Sequence, residues 1–333
     1  MQHKWYNATE IEVGLNSKQI FYIETIEVSR LSALAFFAAG EKKYKGKRNY
    51  WQNREKTFTL VGLGHAYTIE NNASDARFDL VEQHWKKLTS QIVQEDRHLQ
   101  PILFGGFTFD PQNEVSAEWT NFPQSYFTVA THQLVIRNDK AYVTINYITD
   151  EENSAKTFEA LRKERDELIH AAQVKEVKTY AKPTMTSYME PFKEEYLNSI
   201  HKVTSLIKDN EAQKVVIARS LALQFKEAIT SPQILSHVVH EQPESYLFGL
   251  EHGDLLFYGA SPERLVKVEN GRAYSSCVAG SIKRGSTAEA DEALGQNLLN
   301  DMKNLGEHHY VVEMITETFE KNCSEVKVPH GPK

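Results

Sequence analysis

A chain of 333 residues, 41% hydrophobic, has ample material for a buried core, as one large domain or two smaller ones. Its net charge of −7 excludes a general nucleic-acid surface, which needs clustered Lys and Arg to displace counterions from phosphates. Cys277 and Cys323 are the only cysteines, which excludes a disulfide framework and a cysteine-based zinc site and fits a reduced compartment.

In chain order, the N-terminus mixes acidic and polar residues among its apolar ones, so it reads as neither a secretory signal nor a membrane span; a cytoplasmic location is expected. The basic run Lys42-Lys43-Tyr44-Lys45-Gly46-Lys47-Arg48 reads as a solvated loop. Strands are expected at 19–28, 56–63, 101–110, 125–137 and 140–149, where β-branched and aromatic residues lie between turn signals. Asn138-Asp139 suits a hairpin turn between the last two. Helices are expected at 73–94 and at 154–172, where Phe158, Leu161, Leu168 and Ile169 recur at near-helical spacing. The stretch 174–187 contains Pro183 and lacks an apolar period. It is read as the connection between a strand-rich half, 1–187, and a second half, 188–333.

The second half opens with a helix whose Tyr196, Ile200, Val203 and Ile207 form one stripe, ending near Asp209-Asn210. The run Val215-Val216-Ile217-Ala218 predicts a strand over 214–225 that is buried on both faces. Ser231-Pro232 has N-cap and N1 chemistry for a helix to about residue 240. Strands at 246–250 and 255–258 join around Gly253, and one long helix spans 291–321.

Three spaced segments carry the chemistry: 213–219 with Lys214, 259–265 with Glu263, and 305–308 with Glu307. A strand-borne lysine, a carboxylate at a helix start and a carboxylate on a later helix supply a base, an acid and a metal ligand. That kit can move a hydroxyl on a small acidic substrate. Each residue also has a plainer reading. Lys214 alone is a surface lysine at a strand mouth, and as a base it must be neutral, which takes burial or nearby positive charge. Ser261-Pro262-Glu263 reads as an N-cap, a first-turn proline and an acid favoured by the helix dipole. Glu307 alone is a helix-surface acid beside His308 and His309, and magnesium takes more than one anionic partner.

Four motifs occur in order: Lys-Val-Val-Ile-Ala-Arg at 214–219, Phe-Tyr-Gly-Ala-Ser-Pro-Glu-Arg-Leu at 257–265, Ala-Gly-Ser-Ile-Lys-Arg-Gly at 279–285, and Lys-Asn-Leu-Gly-Glu-His-His-Tyr-Val-Val at 303–312. Through them the chain resembles the chorismate-utilising enzymes, the isochorismate, salicylate, anthranilate and aminodeoxychorismate synthases. The resemblance covers most of 193–329. In the first half, Tyr50-Trp51, Leu60-Val61-Gly62-Leu63-Gly64 and Phe104-Gly105-Gly106-Phe107-Thr108-Phe109-Asp110 look like the isochorismate synthases of menaquinone pathways.

The resemblance implies an α+β fold of two large, mainly antiparallel sheets packed together with helices outside. It also implies that Lys214 deprotonates water attacking C2 of chorismate while Glu263 protonates the departing C4 hydroxyl. Gly280 and Ser281 would meet a substrate carboxylate, and Mg2+ would be held partly by Glu307. Members that add water carry lysine at position 214, so no glutamine amidotransferase subunit is expected. Ser281 stands where the family usually has threonine, and Asn304 where an acid often precedes Glu-His. Family members continue past the equivalent of Pro329 with strands, a second metal carboxylate and a substrate arginine, so the family domain is expected to be incomplete at Lys333. The alternatives are a salicylate synthase, a siderophore-pathway isochorismate synthase, or a non-catalytic fragment or binding protein that retains the fold.

Overall fold

A computed structural model describes residues 20–29, 31–94, 100–113, 115–149, 154–174, 180–329 and 331. The N-terminal segment 1–19, residues 175–179 of the expected connection, and Lys333 lie outside the described residues. The strands are β1 Ile20–Val28, β2 Arg48–Gln52, β3 Phe58–Leu63, β4 Tyr67–Asn71, β5 Ile92–Gln94, β6 Leu103–Phe107, β7 Ser125–Val129, β8 His132–Arg137, β9 Lys140–Thr149, β10 Met185–Met189, β11 Ala222–Phe225, β12 Tyr246–His252, β13 Leu255–Ser261, β14 Lys267–Glu269 and β15 Arg272–Tyr274. The α-helices are α1 Ala33–Ala39, α2 Glu41–Tyr44, α3 Arg77–Ser90, α4 Ser154–Val174, α5 Lys193–Lys208, α6 Ser231–Glu241, α7 Ala288–Asn300 and α8 Met302–Asn322.

Two compact units share the chain: 1–181 with 229–262, and 182–228 with 263–333. In the first, an eight-stranded sheet runs β13-β12-β2-β3-β8-β9-β1-β5, antiparallel except for the β1–β5 pair. A three-stranded sheet runs β4-β7-β6. Segment 229–262 belongs with this unit because β12 pairs with β2, Phe248 opposite Trp51. The larger core lies where α1, α4 and α6 meet the sheet: Phe36, Phe37, Leu63, Leu134 and Leu235 are fully buried there.

The single strand expected at 125–137 is two strands in different sheets, β7 beside β4 and β6, β8 beside β3 and β9. The break falls at Ala130-Thr131, whose carbonyls are taken by the Asn146 side chain at 2.8 Å and the Asn146 N–H at 2.9 Å. The hairpin at Asn138-Asp139 has both residues at positive φ, 48° and 67°, the left-handed pair of a tight two-residue turn.

The basic run is not a solvated loop. Residues 41–44 form α2, and Tyr44 and Arg48 are buried. The Arg48 guanidinium donates to Glu251 through Nε (2.8 Å) and Nη2 (2.6 Å) and to the Phe37 carbonyl at 3.0 Å, and its Nη2 lies 2.5 Å from Glu41. Such a cation is buried only because partners from β12, α1 and α2 replace its water.

The second unit contains α5, α7, α8 and the two-stranded pairs β10–β11 and β14–β15. None of its described residues is buried. The expected strand over 214–225 shrinks to β11, because β10 supplies a ladder only from Ala222 to Phe225 and, among the described residues, no strand pairs with those before it. Val216 is accordingly 84% exposed. The expected helix over 291–321 is two helices: Asp301 is extended, and its carboxylate accepts the Asn304 N–H at 2.7 Å, capping α8.

Candidate active site

All the residues singled out in the sequence lie in the second unit: Lys214, Glu263, Gly280, Ser281 and Glu307. Ser261 closes β13, and no helix follows it; the chain bends and enters β14 at Lys267. The polar groups of this bend pair across to residues 275–278 rather than forming a helical turn. Glu263 Oε1 accepts the Val278 N–H at 3.1 Å, and the Leu265 carbonyl accepts the Ser275 hydroxyl at 2.6 Å. Glu263 is thereby tethered to the strand-like stretch that leads to Gly280. Cys277 stands nearby, its thiol pushed up by burial and, secondarily, by the Glu263 carboxylate.

Gly280 has φ +80°, a backbone state that side chains other than hydrogen rarely tolerate. A Cβ there would lie 2.6 Å from Asn304 Oδ1 and 2.9 Å from Asn304 Cγ. The glycine therefore does two jobs, turning the chain and admitting the first turn of α8 against its backbone. Ser281 follows it and is exposed. Beyond it, Arg284 and the Gly285 N–H both bind Asp291 at the start of α7, with Nε to Oδ1 at 2.7 Å and the N–H to Oδ1 at 2.8 Å. Arg284 first, then that N–H, holds the Asp291 carboxyl down at about 2.

Glu307 lies one turn after Asn304 on α8, with Lys303 Nζ 4.0 Å from its carboxylate. Along α8 opens a cavity of about 480 Å3 walled by Cys277, Ala279, Leu305 and Val312, with Ser275, Asn304, His308, Thr316 and Lys327 among its polar lining. Glu263 is thus joined to Val278, two residues before Gly280, and Gly280 lies against Asn304, one helical turn before Glu307. Lys214 stands apart: it is exposed on the irregular stretch before β11, and among the described residues no hydrogen bond or ion pair joins it to Glu263, Gly280 or Glu307. Its stretch is anchored at Arg219, which lies 3.0 Å from Glu190 and over the Tyr196 ring of α5.

Sequence reasoning missed the Val278 N–H and the approach of Asn304 to Gly280. The first is a backbone group that no motif names; the second is signalled only by an invitingly small residue at 280. For a metal ion, the described residues contain no group of three or more His, Cys, Asp or Glu able to hold one. Glu307 is a single carboxylate about one third exposed. That suits a hydrated divalent ion that keeps most of its waters and takes further oxygens from a substrate.

The motif order and the α+β architecture agree with comparisons against known proteins. A family profile described as chorismate binding enzyme matches residues 8–333. The chain belongs to that family. This family member is 37% identical to isochorismate synthase MenF of Bacillus subtilis, over 99% of its own length and 70% of that protein. It is 27% identical to the salicylate biosynthesis isochorismate synthase of Pseudomonas aeruginosa, over 95% of its length and 65% of that protein. Among solved structures, the menaquinone-specific isochorismate synthase MenF of Escherichia coli superposes with a TM-score of 0.67 at 20% identity, covering 90% of this chain and 64% of that one. The fold is shared with it. The chain spans roughly two thirds of the length of these relatives. Among the described residues no helix is long and apolar enough to cross a membrane.

Proposed function

We propose that the protein is an isochorismate synthase serving menaquinone biosynthesis in the cytoplasm, converting chorismate to isochorismate. The observation that carries this reading is its similarity, over 99% of the chain, to a MenF isochorismate synthase, together with a lysine at position 214. In this reading Lys214 removes a proton from water as its oxygen bonds to C2, the two ring double bonds shift, and Glu263 protonates the C4 hydroxyl, which leaves as water. One water is consumed and one released, so the step is an isomerisation that needs opposite protonation states of its two groups. The Val278 N–H bonds to Glu263 Oε1 and so orients the carboxyl that gives up the proton.

Gly280 and Ser281 would receive a carboxylate of the substrate. Glu307 would hold Mg2+, which, when bound, offsets the ring carboxylate's charge. Because Lys214 activates water, no amidotransferase partner is required. The test is chromatography of products from chorismate and Mg2+: isochorismate supports the reading, whereas salicylate with pyruvate, or anthranilate when ammonia is supplied, overturns it.

A further inference from the structure

Asn304 is used by none of the steps above, yet its side chain lies against the backbone at Gly280. Its own N–H is fixed by Asp301 at 2.7 Å, so its backbone does not wander. Its side chain then fills the space that a Cβ on residue 280 would need, with Cβ, Cγ and Oδ1 at 3.1, 2.9 and 2.6 Å from that point. Three residues on, Glu307 projects from the same side of the helix, since residues three apart on a helix are neighbours. Asn304 therefore meets the backbone at Gly280 one helical turn before Glu307.

We propose that Asn304 is a positioning residue: by shape rather than charge, it sets the Gly280–Ser281 backbone at the spacing from Glu307 at which a ring carboxylate can be held. This inference rests on the reading of the site as a chorismate site. Asparagine has the shape of aspartate, so Asn304→Asp keeps the contact with Gly280 that Asn304→Ala removes.

The experiment is a calorimetric titration of chorismate into the protein and into Asn304→Ala and Asn304→Asp, with KM and kcat measured on each. Loss of a supporting contact of this kind costs about ten-fold at the low end of its range. Asn304→Ala is therefore expected to weaken chorismate binding and raise KM about ten-fold with kcat within about two-fold. Asn304→Asp, which restores the shape, is expected to return both towards the original values. The melting temperature of both variants should stay where it was, because Asn304 lies in a unit without buried residues. Unchanged binding in Asn304→Ala, or an Asn304→Asp variant as weak as Asn304→Ala, overturns the shape role while leaving the chorismate reading intact. No chorismate binding by the unmodified protein overturns both.

Discussion

Replacing Glu251 by Gln tests the claim that the first unit is held around a buried ion pair. The Arg48 and Glu251 side chains are 0% and 3% exposed. Glu251 accepts two bonds from the guanidinium, at 2.6 and 2.8 Å, and a third from the Gly46 N–H at 2.8 Å. Glutamine keeps the volume but presents an NH2 group to a donor and removes the balancing charge. Arg48 is left with the Phe37 carbonyl, the face of the Phe37 ring 4.3 Å away, and the half-exposed Glu41. Breaking a buried pair from one side costs about 3–5 kcal/mol. With a urea slope of about 3 kcal/mol/M for a protein of this size, the unfolding midpoint followed by circular dichroism should fall by about 1–1.7 M. The paired change Arg48→Met with Glu251→Leu should recover most of that loss, because it removes both charges together. A midpoint shift below about 0.3 M in Glu251→Gln would refute the argument that this pair is uncompensated when broken.

Three further outcomes are expected. Glu164 is burdened by burial, yet the His132 ring 3.6 Å away, the Lys43 ammonium at 2.6 Å and the Tyr44 hydroxyl bring its carboxyl down to about 2 from an ordinary 4.5. Its stabilising contribution is therefore complete above pH 4.5 and disappears as pH falls towards 2, so a urea series over that window should show a stability loss on the order of 1 kcal/mol, reduced by solvent screening of the exposed Lys43, that Glu164→Gln flattens. Gly280→Ala must hold alanine at φ +80° against Asn304, at a strain of about 1–2 kcal/mol before the clash is relieved; chorismate titration should show weakened binding, and unaltered affinity would contradict the contact. Lys214→Ala should lower kcat by about 100- to 10,000-fold, with the melting curve superimposable because the residue is exposed.

The strands with strong local signals were legible from sequence: β9 has the bounds expected of it, and the Asn138-Asp139 turn carries the positive φ values its residue types favour. What escaped depends on partners far along the chain. Arg48 looked like part of a solvated run because its counter-charge, Glu251, lies 203 residues away. The run 125–137 looked like one strand because nothing local reveals that Asn146 breaks it at Ala130. Val215 to Ala218 has strand-like composition, but composition cannot supply the neighbouring strand on which a ladder depends. At the site, the motifs located the segments that bear Glu263, Gly280 and Glu307. Glu263 is held by a backbone N–H at Val278 and Gly280 by a close van der Waals approach of Asn304, neither of which has a sequence signature. The helix expected to start at Ser261 failed to form for the same reason, its polar groups being taken by 275–278.

The most direct test of water activation by Lys214 is mass analysis of the product formed from chorismate, Mg2+ and oxygen-18 water. The account predicts isochorismate carrying one labelled oxygen, at the C2 hydroxyl, formed at least about 100-fold more slowly by Lys214→Ala. Isochorismate without label, or labelled isochorismate at the original rate from Lys214→Ala, would contradict it.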